Sequence, residues 1–240
     1  MRKSIFRRRL AMAALAAVLA AAVVSVIMGY QSFLSLEGLI VVVGGSVANA
    51  FLSFDREDVR EAFTTIGNML KKAKPGRKRL HKDILQLIKW NYTLQLRDFV
   101  GLERETITEA DPFLRYGLEL VVTGYSADQI RPMMRTVADA EFERHCAPVT
   151  VLRNMAATAP AFGMVGTLVG MVILLQNIGA DITGIGSGLG IAMLSTLYGI
   201  LIARLVCLPA ADKLLQEREL ERFRHYMLSE GLAILAEKQS

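Results

Sequence analysis

The sequence predicts an all-α membrane protein with four transmembrane helices, a helical cytoplasmic insert between spans two and three, and a helical cytoplasmic tail. Three observations support this fold class. The 240 residues are 52% hydrophobic with a mean hydropathy of +0.36, which is high for a soluble domain. Four apolar stretches approach or exceed the ~20 residues that a helix needs to cross a bilayer. Elsewhere the apolar residues recur at helical spacing, and no segment alternates as a strand does.

The four spans form two pairs. Residues 1–54 are predicted to be an N-terminal membrane hairpin, and residues 154–208 a second hairpin that lines an ion path. The spans are predicted at about residues 11–28, 33–54, 154–178 and 188–208. The Ala-rich run after the basic N-terminus is longer than the 7–15 residues of a signal peptide's apolar core. We therefore expect it to be retained as the first span.

The distribution of basic residues predicts the orientation. The chain has 28 Lys and Arg, yet the short connections at 29–38 and 179–187 contain none. Because Lys and Arg collect on the cytoplasmic side of short loops, both termini and the segment 55–153 are predicted to be cytoplasmic. The net charge of +5 then reflects this orientation, and nucleic-acid binding is not expected. Cys146 and Cys207 also fall on the cytoplasmic side, where thiols stay reduced.

The cytoplasmic parts are predicted to be helical. Segment 55–153 is expected to form a compact helical domain, and residues 209–240 a C-terminal helix with a charged amphipathic pattern. Within the first segment, the basic run KKAKPGRKR at 71–79 contains a Pro-Gly pair. That pair predicts a loop between two helices.

Several helix boundaries carry local signals. Asp111 ahead of Pro112 predicts a helix start, and the pair Ser126–Gln129 predicts a capping box at the start of the next helix. Pro160 lacks an N–H and is expected to bend the third span near its cytoplasmic end, whereas Pro209 is expected to end the fourth.

Small residues recur along one face of the third and fourth spans, at spacing i, i+4, i+7 and i+11. They are Ala159, Gly163, Gly166 and Gly170 on the third span, and Ala192, Thr196, Gly199 and Ala203 on the fourth. Small residues let membrane helices approach closely. The glycines of this face therefore predict helix packing.

The interiors of the four spans contain no Asp, Glu, Lys or His, but Thr167, Ser195 and Thr196 place hydroxyls in the third and fourth. If the protein moves ions, a partner must then supply the titrating group. Thr167 and Thr196 are candidates to face a shared polar gap, where a hydroxyl can bind a carboxyl or a cation. The alternative is that each hydroxyl bonds to a carbonyl of its own helix.

Two long motifs closely resemble the MotA/PomA stator subunits of the bacterial flagellar motor, within the wider MotA/TolQ/ExbB ion-channel family. They are TAPAFGMVGTLVGMVILLQNIG (158–179) and LSTLYGILIARLVCLPAADKL (194–214). The stretches IVVVGGS (40–46) and DPFLRYGLELVVTGY (111–125) resemble the same family's second span and cytoplasmic segment. TolQ and ExbB relatives normally have three spans, so four predicted spans favour the MotA branch.

The resemblance implies an ion-conducting subunit of the bacterial inner membrane that couples proton or sodium flow to torque. Five copies would surround two copies of a MotB-like partner, which has a single span with an ion-binding Asp and a domain that binds peptidoglycan. The rotor partner would be a FliG-like switch protein. No cofactor is implied beyond the transported H⁺ or Na⁺, and no metal site is expected. The alternative within the family is an energiser of a non-flagellar envelope, gliding or defence system.

The resemblance also implies roles for individual residues. Thr196 would face the partner's Asp, with Ser195 beside it and Thr167 opposite on the third span. A second group would couple ion passage to movement, and it consists of Pro160, Pro209 and the motif aromatic Tyr198. In the cytoplasmic segment, Glu103 of LERE matches an acid that contacts the rotor. The family's basic residue is displaced to Arg97, and Asp98 stands where a Gly is usual.

Enzymatic chemistry is not expected, and the ion is left open. His81, His145 and His225 all lie outside the predicted spans, so no intramembrane nucleophile has a base within reach. Three hydroxyls suit sodium, since hard cations prefer oxygen ligands, but they also orient a carboxyl for proton exchange. Glu37 near the outer mouth is placed to attract cations. Ser35 stands where sodium-type relatives tend to have an acid, which favours the proton.

Overall fold

The computed structural model describes residues 35–68, 76–95, 106–107, 109–178 and 182–237. No β-strand occurs within these ranges, and the predicted all-α class is confirmed. The helices are α1 (Leu36–Ser53), α2 (Arg56–Asn68), α3 (Gly76–Gln95), α4 (Pro112–Val122), α5 (Ala127–Asn177), α6 (Ile182–Leu201) and α7 (Leu208–Glu237), with a π-helix (Ile202–Cys207) between α6 and α7.

Three described helical segments are long and apolar enough to cross a membrane. They are Leu36–Ser53, Ala127–Asn177 and Gly188–Glu237. These segments contain the second, third and fourth predicted spans. The first predicted span, at about 11–28, lies outside the described residues, as do Arg97 and Glu103.

The described residues within 35–66 and 150–211 form one compact unit, which we call the hairpin unit. In it, α1 buries one face at four-residue spacing, and this face packs against α6. Gly45 of α1 lies against the ring of Phe162 on α5. Asn49 Nδ2 donates a hydrogen bond of 2.8 Å to Asn154 Oδ1. An apolar contact and a polar contact thus join α1 to α5.

Helix α2 belongs to the hairpin unit, although the sequence placed it in the insert 55–153. The physical reason is that α2 has its own apolar contacts there. Val59 and Ala62 are fully buried, and the ring of Phe63 stacks on Phe51 of α1 with centroids 6.5 Å apart.

The described residues within 67–149 and 212–237 form a second compact unit, the insert unit. Its core combines α3, α4, the first part of α5 and most of α7. The largest fully buried side chains are Trp90, Phe113, Leu114, Leu118, Ile130, Met134, Leu228 and Leu232. Gly117 of α4 faces Leu232 of α7 closely, so no larger residue fits there without a shift of that side chain.

Two predicted helix starts are present, and residues 76–79 of one predicted loop are helical instead. Asp111 Oδ1 accepts the N–H of Phe113 at 3.2 Å, so α4 begins as predicted. Gln129 Oε1 accepts the backbone N–H of Ser126 at 3.1 Å, which is one half of a capping box. The segment 71–79 is not all loop, because α3 begins at Gly76. Lys and Arg are good helix formers, so the helix begins directly after Pro75.

The helix does not break at Pro209, where the sequence predicts the fourth span to end. The helix passes through a π-helical segment at Ile202–Cys207 and continues as α7 from Leu208. The Pro209 ring would clash with the carbonyl four residues earlier in a regular α-helix. A wider π turn in this position accommodates the ring. Helix α5 likewise continues through Pro160 to Asn177.

Candidate functional site

The candidate site is built on a seam where the backbones of α5 and α6 touch. A Cβ added to Gly170 would lie 2.5 Å from the backbone nitrogen of Ala192. At Gly199 the same atom would lie 2.6 Å from the carbonyl oxygen of Ala159, and at Gly163 it would meet α6 backbone at 3.0 Å. Only glycine fits such distances. The small residues predicted from spacing therefore bring the two helices into direct backbone contact.

Ser195 lies where three helices meet. It is 0% exposed, and its Oγ donates to the carbonyl of Ala192 at 3.1 Å. Gly166 of α5 packs directly against the side chain of Ser195. A Cβ added to Gly38 of α1 would lie 3.5 Å from the Cβ of Ser195. The Ser195 hydroxyl is thus enclosed by protein on all of these sides.

The two threonines differ in how their hydroxyls are used. Thr167 is half-buried, and its Oγ1 donates to the carbonyl of Met164 at 2.6 Å. Thr196 is also half-buried, and its Cα lies 3.1 Å from the Cβ position of Gly163. The Thr196 hydroxyl makes no hydrogen bond to another described residue. Ser46 and Thr158, like Thr167 and Ser195, donate to backbone carbonyls of their own helices. Thr196 is therefore the exception among these five span hydroxyls.

Tyr198 connects α6 to the start of α1. Its hydroxyl oxygen accepts the backbone N–H of Ser35, the N-cap residue of α1, at 3.1 Å. The Ser35 Oγ in turn accepts the N–H of Gly38 at 3.1 Å. The two residues together satisfy donors that a helix start leaves open. The spacing of residues in the sequence did not predict this hydrogen-bond partner of Tyr198.

Glu37 is a carboxylate at the start of α1. It is exposed in the first turn of α1, with Oε2 3.4 Å from Ser35 Oγ. The start of α1 contacts Ser195 and Tyr198 of α6. An exposed carboxylate of this chain thus lies at the end of α1 that contacts α6.

A polar cluster in the insert unit was not foreseen from the sequence. The Arg224 side chain is 8% exposed, with Nε 2.5 Å from Asp83 Oδ2 and Nη2 2.6 Å from Asp111 Oδ2. Burial raises the pKa of Asp111, but the hydrogen bond and charge of Arg224 outweigh it and hold that pKa below its usual value. Burial lowers the pKa of Arg224, and its two carboxylate partners reverse this and raise it. The cluster joins α3, the N-cap of α4 and α7.

His225 lies next to this cluster. Its ring stacks on Phe113 with centroids 4.0 Å apart, and its Nδ1 lies 3.3 Å from Glu141 Oε2. Burial lowers the pKa of His225 from its usual value, and the charge of Glu141 offsets only part of that effect. A cleft of about 310 Å³ borders both residues. Among the residues that the structure describes, no three His, Cys, Asp or Glu side chains converge as they would around a metal.

Some of these partners left a weak signal in the sequence. Asn49 is an amide inside an apolar span, and such residues commonly bond across membrane helices. The cluster around Arg224 left no such signal in the sequence, because an Arg on a charged helix is usually exposed to solvent. Its partners lie 113 and 141 residues away along the chain.

Comparison with known proteins agrees with this architecture. The profile of the MotA/TolQ/ExbB proton channel family matches residues 105–226. The chain is 33% identical over 204 residues to the uncharacterized protein YtxD of Bacillus subtilis, covering 85% of this chain and 74% of that protein. It is 29% identical over 211 residues to the chemotaxis protein PomA of Vibrio alginolyticus, covering 87% of this chain and 80% of that protein.

The fold also matches a solved structure, that of C. jejuni MotAB. The TM-score is 0.77 at 20% sequence identity, and the match covers 94% of this chain and 88% of that chain. The profile match spans half of the sequence, and the similarity to YtxD extends over most of it. The expected helical class, the apolar spans and these comparisons agree, and the chain belongs to the MotA/TolQ/ExbB proton channel family.

Proposed function

We propose that this chain is the ion-conducting stator subunit of a bacterial flagellar motor, and that it acts with a MotB-like partner. The main support is Thr196. Ser46, Thr158, Thr167 and Ser195 donate to carbonyls of their own helices, whereas the Thr196 hydroxyl has no hydrogen-bond partner among the described residues. A half-buried hydroxyl in an apolar span needs a partner, and a carboxyl on a neighbouring chain supplies one.

The mechanism follows from the charge of that carboxyl. An ionised Asp on the partner's span is costly to move along the apolar wall of α5 and α6. Protonation removes the charge, and the Thr196 hydroxyl then holds the carboxyl by a hydrogen bond at a fixed position. The membrane potential supplies about 2.3 kcal/mol per charge per 100 mV. This energy biases each step from one subunit to the next.

The assembly follows the family pattern. Five copies of this chain surround two copies of the partner, in the bacterial inner membrane with both termini cytoplasmic. The partner anchors the complex to peptidoglycan, and a FliG-like rotor protein contacts Glu103 and Arg97. Pro160 and Pro209 transmit the step to the cytoplasmic helices, because each removes a backbone hydrogen bond and so allows the helix to bend. This chain has no enzymatic role in the mechanism.

The transported ion in this proposal is the proton. A sodium ion needs several oxygen ligands around it. The Ser195 hydroxyl is enclosed between helices, and that of Thr167 is bonded to its own helix. Thr196 alone offers one hydroxyl, which suffices to orient a carboxyl for proton exchange but not to replace the hydration shell of Na⁺.

The test is ion flux in liposomes that contain the full chain with and without a MotB-like partner. We expect flux only with the partner, and a loss of about twofold to tenfold in Thr196→Ala, since a hydrogen bond between neutral groups contributes ~0.5–1.5 kcal/mol. Thr158→Ala is the matched control, because Thr158 donates to its own helix. Full flux without a partner, or equal flux in the two variants, would refute the proposal. Loss of swimming in a deletion strain distinguishes the flagellar role from the non-flagellar alternative.

A further inference from the structure

Helix α1 is joined to its neighbours at both ends by hydrogen bonds. At its start, the Tyr198 hydroxyl oxygen of α6 accepts the N–H of Ser35 at 3.1 Å. Near its end, Asn49 donates to Asn154 of α5 at 2.8 Å. Only the first of these bonds reaches α6, the helix that bears the candidate hydroxyl. The two bonds therefore offer a matched pair, one that involves α6 and one that does not.

The bond to Ser35 has a physical reason to persist. Ser35 is the part-buried N-cap residue of α1, so its backbone N–H is among the donors that a helix start leaves without a partner in the helix. Loss of the Tyr198 oxygen would leave that donor without this acceptor. The rigid ring of Tyr198 then fixes the distance between α6 and the start of α1.

The rotation of α6 follows from this bond. Successive residues of an α-helix are 100° apart, so Thr196 lies about 160° around α6 from Tyr198. With Tyr198 directed at α1, Thr196 faces away from α1 and toward the flank beside Gly163 of α5. Ser195 lies about 60° from Tyr198 and faces α1 as well, in agreement with its contact with Gly38.

We infer that Tyr198 is a positioning residue for Thr196, because its hydroxyl holds α6 in the rotation that presents the Thr196 side chain to the partner. The inference rests on the proposed function for the role of Thr196. It assigns a specific task to Tyr198, which the family resemblance placed only in the group that couples ion passage to movement. Tyr198 itself does not touch the ion.

The experiment measures the accessibility of position 196 in the full chain with its MotB-like partner. The probe is a small water-soluble methanethiosulfonate reagent, applied to Thr196→Cys, with the reaction of Cys146 and Cys207 in the parent chain subtracted. Tyr198→Phe removes only the hydroxyl. Asn49→Ala, the matched control, removes the other interhelical bond of α1 without touching α6.

We expect Tyr198→Phe to change the labelling rate by about threefold, the factor that corresponds to an average hydrogen bond between membrane helices. In the otherwise native chain the same substitution should lower partner-dependent proton flux by a similar factor, and Asn49→Ala should change neither quantity. Unchanged labelling in Tyr198→Phe, or an equal change in Asn49→Ala, would overturn the inference. Failure of the native complex to conduct would instead count against the proposed function, since labelling does not depend on conduction.

Discussion

Gly170→Ala tests the direct backbone contact between α5 and α6. The added Cβ would lie 2.5 Å from the nitrogen of Ala192 and 2.7 Å from the carbonyl oxygen of Gly188. Ordinary contacts begin at 3.4 Å, so the helices would have to separate locally by about 0.9 Å, and neither neighbour is a flexible side chain. Overpacking of this kind costs about 1–3 kcal/mol. We expect Gly170→Ala to destabilise the chain by that amount and to reduce swimming.

The assay is thermal unfolding of the purified chain in detergent, with Gly190→Ala as the matched control. Gly190 lies on α6, and a Cβ there meets nothing within 4 Å. Both substitutions gain the same helix propensity, up to ~1 kcal/mol for Gly to Ala. The difference between the two variants therefore isolates the steric cost. If Gly170→Ala is as stable as Gly190→Ala, the backbone contact described for this seam does not exist in solution.

Three further changes test other parts of the molecule. Arg224→Met leaves the carboxylates of Asp83 and Asp111 buried without their cation and should cost about 3–5 kcal/mol in the free energy of unfolding; a loss below ~1 kcal/mol would contradict the buried cluster. The pKa of His225 is lower in the folded state than its usual value of 6.5, so the unfolded state binds more protons and the free energy of unfolding should fall as pH decreases below 6.5. His225→Phe should reduce the pH dependence of the free energy of unfolding, measured by thermal scans between pH 7 and 5. An unchanged pH dependence would contradict the assignment of this effect to His225. Glu37→Gln should raise the external ion concentration for half-maximal swimming speed and leave the maximal speed unchanged, because an exposed carboxylate at the start of α1 attracts cations; an equal half-maximal concentration would show that Glu37 does not serve the ion path.

Local signals predicted much of the fold. Spans two to four and the start of α4 depend on composition and on side-chain bonds within a few residues, and sequence patterns report such features directly. The errors arose where two local signals competed. At 71–79 the Pro-Gly pair suggested a loop, while the basic residues after it continue into α3. At Pro209 the proline suggested an end, while a π turn allowed the helix to continue.

The sequence predicted the close packing of α5 and α6 but not the orientation of the hydroxyls on them. The glycine spacing on α5 and α6 predicts close packing, and the structure places Gly163, Gly170 and Gly199 against the opposing backbone. Which hydroxyl points where depends on the rotation of α6, and this rotation is set by contacts with α1. The bond between Tyr198 and Ser35 joins residues 163 positions apart. No pattern within one helix reports such a contact.

The packing of α6 restricts where a partner helix can approach. Ser195 and Tyr198 face α1, and Gly199 lies against the backbone of α5. The flank with Thr196 is left next to an exposed apolar stripe, in which Met193 is 69% and Ile200 is 48% exposed. Lipid would cover that stripe as well as a protein would, but lipid tails offer no partner to the Thr196 hydroxyl. The mixture of an apolar stripe and one hydroxyl without a hydrogen-bond partner among the described residues therefore favours a helix that carries its own polar group at the same depth.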